Sequence, residues 1–177
     1  TTTASNYNVA IGNYVMDAAM NGATNNVALG YNALSAVTTA DANTAIGYVA
    51  LEDATTGGYN VAVGSEAGRN LISGAENILL GQSAGAQHSV TSYIIAIGSG
   101  AVNTTMAAGA NGTIGIGQTA LMRGVKGAAP SIAIGYEAGQ VATGSYNTFI
   151  GHQAGKGGTT SAPYSSGEKN TAVGFNA

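Results

Sequence analysis

The chain of 177 residues contains no cysteine and no tryptophan, only two prolines, and only five Lys or Arg beside eight Asp or Glu. Without cysteine there are no disulfides and no thiolate metal sites, although that alone does not set the compartment. The five cations, Arg69, Arg123, Lys126, Lys156 and Lys169, form no cluster. Phosphate binding needs clustered cations, so nucleic acid is not an expected partner. The strongest apolar run, Tyr93 to Ile97, is far too short to span a bilayer, and no charged-then-apolar leader opens the chain. No membrane insertion is expected. Low charge does not mean disorder, because 45% of the residues are apolar, the net charge is only −3 and mean hydropathy is +0.14.

What the chain has in abundance is glycine, 28 residues, and much of it falls in one recurring pentapeptide. The copies read NVAIG, NVALG, NTAIG, NVAVG, NILLG, IIAIG, TIGIG, SIAIG, NTFIG and NTAVG, ending on glycines 12, 30, 47, 64, 81, 98, 117, 135, 151 and 174. The intervals are 18, 17, 17, 17, 17, 19, 18, 16 and 23 residues, a self-similarity that marks a solenoid array.

Each column of the repeat has a physical reading. Three residues before every glycine stands Val, Thr or Ile, and one before stands Ile, Leu or Val, which is the grammar of a β-strand. Ala lies between them in seven copies, as at Ala10, Ala28 and Ala45. The two branched columns are expected to fill the roll, with the Ala face where chains approach; the reverse is the alternative. Under the first assignment Ile46→Asp would bury an unpaired charge and prevent folding. Seven copies open on Asn (8, 26, 43, 60, 77, 147 and 170), which suits a turn and also a hydrogen-bonded ladder of stacked side chains. Nine copies carry Ala three residues after the glycine, a second place of tight packing.

Some 17 residues accommodate two short strands and two turns, so one unit reads as one coil of a two-sided roll. Turn signals such as Asn21-Gly22, Gly57-Gly58 and Ser73-Gly74 fall in the expected gaps. The fold class expected is all-β: a repetitive parallel β-solenoid of about ten coils, forming a single domain over residues 1–177. Helix is disfavoured, since Gly, Asn and β-branched residues at every period each cost roughly 0.5–1 kcal/mol in helix propensity. The abrupt ends, without atypical capping units, suggest a piece of something longer or a unit whose ends are covered. The last interval inserts about six residues, and insertions in a solenoid emerge as surface loops. The segment Gly155 to Lys169 is thus the candidate receptor-contact loop, with Lys156, Glu168 and Lys169 as charges, Tyr164 as a stacking ring and Pro163 as a stiffener.

Catalytic constellations are not expected. His88 and His152 occupy different repeat positions and read as surface residues. Glu66 and Glu137 share a repeat position four repeats apart, which at about 4.8 Å per coil separates them by about 19 Å, too far for a carboxylate pair. Gly115-Ile-Gly117 lacks the following amphipathic helix of a dinucleotide site, and Gly155-Lys156 lacks the flanking residues of a phosphate loop. No Asp recurs at the period, so a calcium-binding roll is not expected either. Neither a metal nor a cofactor is implied. The sequons Asn103-Thr-Thr105 and Asn111-Gly-Thr113 carry little weight.

Aromatic residues are ordered by the same period. Tyr31, Tyr48, Tyr136 and Phe175 directly follow the motif glycine, while Tyr7, Tyr59, Tyr93 and Tyr146 directly precede the pentapeptide. Rings at equivalent positions of neighbouring coils should stack, as Tyr31 with Tyr48. Contact with a glycan is the functional alternative.

The recurring N-[VT]-A-[IV]-G-x-x-A unit resembles the head repeats of trimeric autotransporter adhesins, and the longer ALEDATTGGYNVAVG variant at 50–64 resembles bacteriophage tail-fibre and related virion fibre proteins. The resemblance covers almost the whole chain. It implies a left-handed parallel β-roll, three chains packed side by side, and a structural rather than enzymatic role. The period of 17 is longer than the adhesin pattern, and no stretch of these 177 residues reads as a coiled-coil stalk or an anchor. An independent consideration also favours a trimer: both strand faces are apolar or small, and a roll has only one interior. The function expected is a virion fibre protein, a homotrimer or a filament of trimers stacked end to end, that presents a host-attachment surface to a cell-surface glycan or protein. The alternative is the head of a bacterial surface adhesin or an extracellular filament subunit.

Overall fold

In the computed structural model, which describes residues 4–104, 110–123, 130–157 and 166–177, the chain is an all-β solenoid with no helix among those residues. Ten three-residue strands form one parallel sheet in sequence order: β1 (Val9–Ile11), β2 (Val27–Leu29), β3 (Thr44–Ile46), β4 (Val61–Val63), β5 (Ile78–Leu80), β6 (Ile95–Ile97), β7 (Ile114–Ile116), β8 (Ile132–Ile134), β9 (Thr148–Ile150) and β10 (Thr171–Val173). Each strand and the residues that follow it form one rung. The register stacks like on like, with Val27 on Thr44, Ala28 on Ala45 and Leu29 on Ile46.

The motif glycines explain the close stacking. All ten have φ between +126° and +140°, a region closed to side chains. A Cβ on Gly64 would also lie 2.6 Å from the carbonyl carbon of Gly81. The column is therefore held to glycine twice, by conformation and by the backbone of the next rung.

The sheet has a single strand per rung, which corrects the expectation of a two-sided roll. The segment after the glycine instead alternates hand, with positive φ two and four residues on, as at Asn32 and Leu34, Val49 and Leu51, and Thr119 and Leu121. Each left-handed non-glycine residue costs roughly 1 kcal/mol or more. The geometry persists because it aims backbone groups along the axis: Val49 N–H reaches Tyr31 O on the rung before, and Leu51 N–H reaches Ala67 O on the rung after. Short-range strand grammar does not reveal this, because Ala-Leu pairs suit either conformation.

The interior also reverses the sequence expectation. Ala28, Ala45, Ala62, Ala96 and Ala133 are fully buried, whereas the Val/Thr/Ile and Ile/Leu/Val columns lie outside, half-buried or exposed. The larger interior groups come from the far side of the rung, from Leu34, Leu51, Val102 and Leu121 and from Val37 and Leu71. With those side chains inside, only a methyl group fits on the strand. Where the strand does carry a large residue, the far side gives way: a Cβ at Gly68 or Gly85 would lie 2.6 or 2.7 Å from Leu79, and one at Gly139 would lie 2.7 Å from Phe149. The Ala column after the glycine is buried as expected, from Ala33 to Ala154.

The asparagine ladder is present. Asn26, Asn43, Asn60 and Asn77 each donate backbone N–H and Nδ2 to Oδ1 of the Asn on the rung before, and Nδ2 to a turn carbonyl, at 2.8–3.2 Å. At the sixth rung Ile94 replaces Asn, and only its N–H continues the ladder to Asn77 Oδ1. The ladder resumes between Asn147 and Asn170.

Candidate interaction surface

On the strand side of each rung the outward residues fall in four columns: the one before the Asn, the two branched columns of the strand, and the one after the glycine. The two branched columns contain only Val, Ile, Leu and Thr in all ten rungs. Eleven of the twenty positions are exposed, from 37% at Val61 and Ile134 to 59% at Ile11 and 65% at Val173, and the other nine, such as Ile46 and Ile97, are half-buried. At about 4.8 Å per rung the stripe is roughly 43 Å long, and two strand columns with their side chains make it at least about 10 Å wide. The resulting area, above roughly 400 Å², is within the range at which exposed apolar patches mark an interaction site.

Aromatic residues edge this stripe on both sides. In the column after the glycine, Tyr31 and Tyr48 stack with centroids 5.6 Å apart and planes at 16°, as the spacing suggests. Tyr14, one residue further along its own rung, meets Tyr31 edge-on at 5.6 Å. Near the other end His152 is sandwiched between Tyr136 and Phe175 at 5.0 Å on each side, so this exposed histidine is part of the aromatic column. Its position directly after Gly151 could have revealed this in the sequence. In the column before the Asn, Tyr7, Tyr59, Tyr93 and Tyr146 are all more than half exposed and have φ near 60°. An open groove of about 570 Å³ lies along the fourth and fifth rungs, lined by Tyr59, Val61, Glu76 and Ile78.

Several charged groups lie instead on the run that follows the glycine. Glu52 takes a hydrogen bond from Asn32 and pairs with Arg69 at 3.1 Å. Glu66 accepts from the Ser83 hydroxyl. Glu137 accepts from Lys156 and Gln153, and the Lys156 hydrogen bond is the main cause that holds its carboxyl below the usual range. No two of these carboxylates are brought together.

Of the candidate loop residues, Lys156 is thus tied to Glu137 on the neighbouring rung rather than projecting freely. Glu168 and Lys169 are exposed, and Lys169 N–H joins the ladder at Ser145 O. Pro163 and Tyr164 lie outside the described residues.

His88 corrects the surface reading. It is 2% exposed and sits seven residues after its motif glycine, the column that Val37, Ala54 and Leu71 fill on other rungs. Nε2–H donates to Val102 O, and Nδ1 accepts from the Thr91 hydroxyl. Burial lowers its pKa, because the low-dielectric interior disfavours the charged ring. Counting from the glycine, rather than looking for a histidine partner, would have placed it inside.

Of the two sequons, Asn111 is exposed and its Oδ1 accepts the Ser92 N–H, whereas Asn103 has a buried Oδ1 without a hydrogen-bond partner among the described residues.

No family model, no curated protein and no solved structure matches this chain.

Proposed function

We propose that the chain is the structural body of a virion fibre, in which three copies pack side by side as left-handed rolls, and that the assembly presents a host-attachment surface. The observation that carries this reading is the outer sheet face, twenty branched or Thr positions without one charge, edged by exposed rings. Burial of such a face contributes about 25 cal/mol per Å², and a second and third copy offer a surface with the same axial repeat. The resemblance of the repeat to tail-fibre proteins supports the virion setting. Host contact is assigned to the segment Gly155 to Lys169, which holds the residues by which the last interval exceeds the period.

Antibodies raised against the chain and applied to intact particles test the setting. Labelling of fibres on the virion is the expected result. Labelling confined to the envelope of a producing bacterium would favour the adhesin alternative instead. Deleting Gly158 to Pro163, which returns the last interval from 23 to 17 residues, should leave the assembly's mass reduced only by the missing residues and weaken attachment to the cells the particle binds; unchanged attachment would move recognition elsewhere.

A further inference from the structure

The two aromatic edges of the sheet are matched in size, rung by rung. Where the column before the Asn carries a ring, the column after the glycine is small or polar: Tyr7 with Asn13, Tyr59 with Ser65, and Tyr93 with Ser99. Where the second column carries a ring, the first is smaller: Asn25 with Tyr31, Ala42 with Tyr48, and Pro130 with Tyr136. On the fifth rung both are polar, Glu76 and Gln82, and on the seventh they are Gly112 and Gln118. Lys169 shares the tenth rung with the exposed ring of Phe175, and only the ninth, Tyr146 with His152, has two rings.

Contacts within one chain do not account for this match. The two positions are six residues apart on opposite edges of the strand, up to about 20 Å. Side chains so separated do not pack on each other. Within the chain, rings of the column after the glycine meet their axial neighbours, as Tyr31 meets Tyr48, and that contact places no constraint on the far edge of the same rung.

We infer that the two edges are built for each other across copies: the edge before the Asn of one copy docks on the edge after the glycine of the next, with equal rungs at equal height. This inference rests on the trimer reading above and adds to it which edges meet and in what axial register. A cyclic assembly of three sheets brings unlike edges together at each corner, as any ring with head-to-tail contacts does. Except on the ninth rung, an aromatic ring from one side then meets a non-aromatic group on the other, which is the packing that buried interfaces require. The apolar stripe alone would not set the register, since a shift of one rung lays branched residues on branched residues again. The edges do set it: a one-rung shift would bring Ala42 against Ser65, or Tyr59 against Tyr48, leaving a void or a collision. The groove at Tyr59, Val61, Glu76 and Ile78 lies where Ser65 and Gln82 of the neighbouring copy would arrive, and there the Gln82 amide can donate to the Glu76 carboxylate.

A volume swap tests the register in the assembled protein. Ser65→Tyr puts two rings on the fourth rung and should raise the midpoint concentration for dissociation at least tenfold. The double variant Ser65→Tyr with Tyr59→Ser reverses the pair and should return to within about threefold of the original. Neither residue is in the core, so circular dichroism should not change. As a second arm, cysteines at 59 and 65, in a chain that has no others, should be joined between copies by a short bismaleimide, at least fivefold more than cysteines at 59 and 82. A trimer that tolerates Ser65→Tyr, is not rescued by the swap, or cross-links equally at 59 and 82 overturns the inference and leaves the trimer standing. A chain that stays monomeric at micromolar concentration overturns both.

Discussion

The ring of Phe149 occupies the space that a side chain at Gly139 would need: a Cβ there would lie 2.7 Å from Phe149 Cδ2 and 2.9 Å from Leu121 Cδ2. Gly139 also has φ +56°, so its substitution meets both strain and a collision. Gly139→Ala should destabilise the fold by about 2 kcal/mol or more, and Phe149→Ala by about 3–5 kcal/mol through the cavity it leaves. Because one void relieves the other's collision, the double variant should cost at least about 1 kcal/mol less than the sum, measured by denaturant unfolding. Strict additivity would show that the two residues do not share the space.

The asparagine ladder yields a second prediction. Asn60 Oδ1 accepts both Asn77 N–H and Asn77 Nδ2, and Asn60 Nδ2 serves Gly74 O. Asn60→Ala strands these buried groups at about 1–3 kcal/mol each, so a loss of about 3 kcal/mol or more is expected in urea unfolding. Asn8 is only part-buried, so Asn8→Ala should cost less. Equal losses at the two sites would argue that the ladder contributes no more inside than at its exposed end.

Much of this was legible in the sequence. The strand positions, the stacking of glycine on glycine, the ladder and the Tyr31–Tyr48 contact all follow from the period, because a parallel array places equal positions against each other. Which strand face is interior was not legible, because it depends on the residues opposite. Ala45 and Ile46 are both acceptable strand residues, and only the inward Leu51 of the far side decides that the methyl goes in. The alternating hand at Val49 and Leu51 was equally hidden, since the interchain-like ladder of backbone bonds along the axis, not local propensity, maintains it. The role proposed for Gly155 to Lys169 is the least legible, because residues inserted outside the period carry no packing signal.

His88 makes acid sensitivity a third prediction. Its pKa in the native state lies below the ordinary 6.5, so the unfolded chain takes up a proton that the native state resists. Stability should therefore be flat above about pH 6.5 and fall as pH drops below it, by at most about 1.4 kcal/mol per pH unit. His88→Leu, which the same column accepts at Leu71, should flatten the thermal midpoint between pH 6.5 and 5.5. A variant with the same slope as the original would show that His88 is not the group responsible.

The inward Ala face and outward branched face predict opposite outcomes at adjacent residues. Ala45→Asp would place a carboxylate in a fully buried site and should prevent folding. Ile46→Asp is only half-buried in the single chain, so circular dichroism should still report a folded roll, but a charge on the stripe should keep copies apart.

The mass of the native complex at micromolar concentration tests the central claim most directly. The unmodified chain should appear at about 52 kDa, three times the 17.3 kDa of one chain, and Ile46→Asp at the monomer mass while still folded. A folded unmodified chain at 17.3 kDa, or an Ile46→Asp protein that assembles as before, would contradict it.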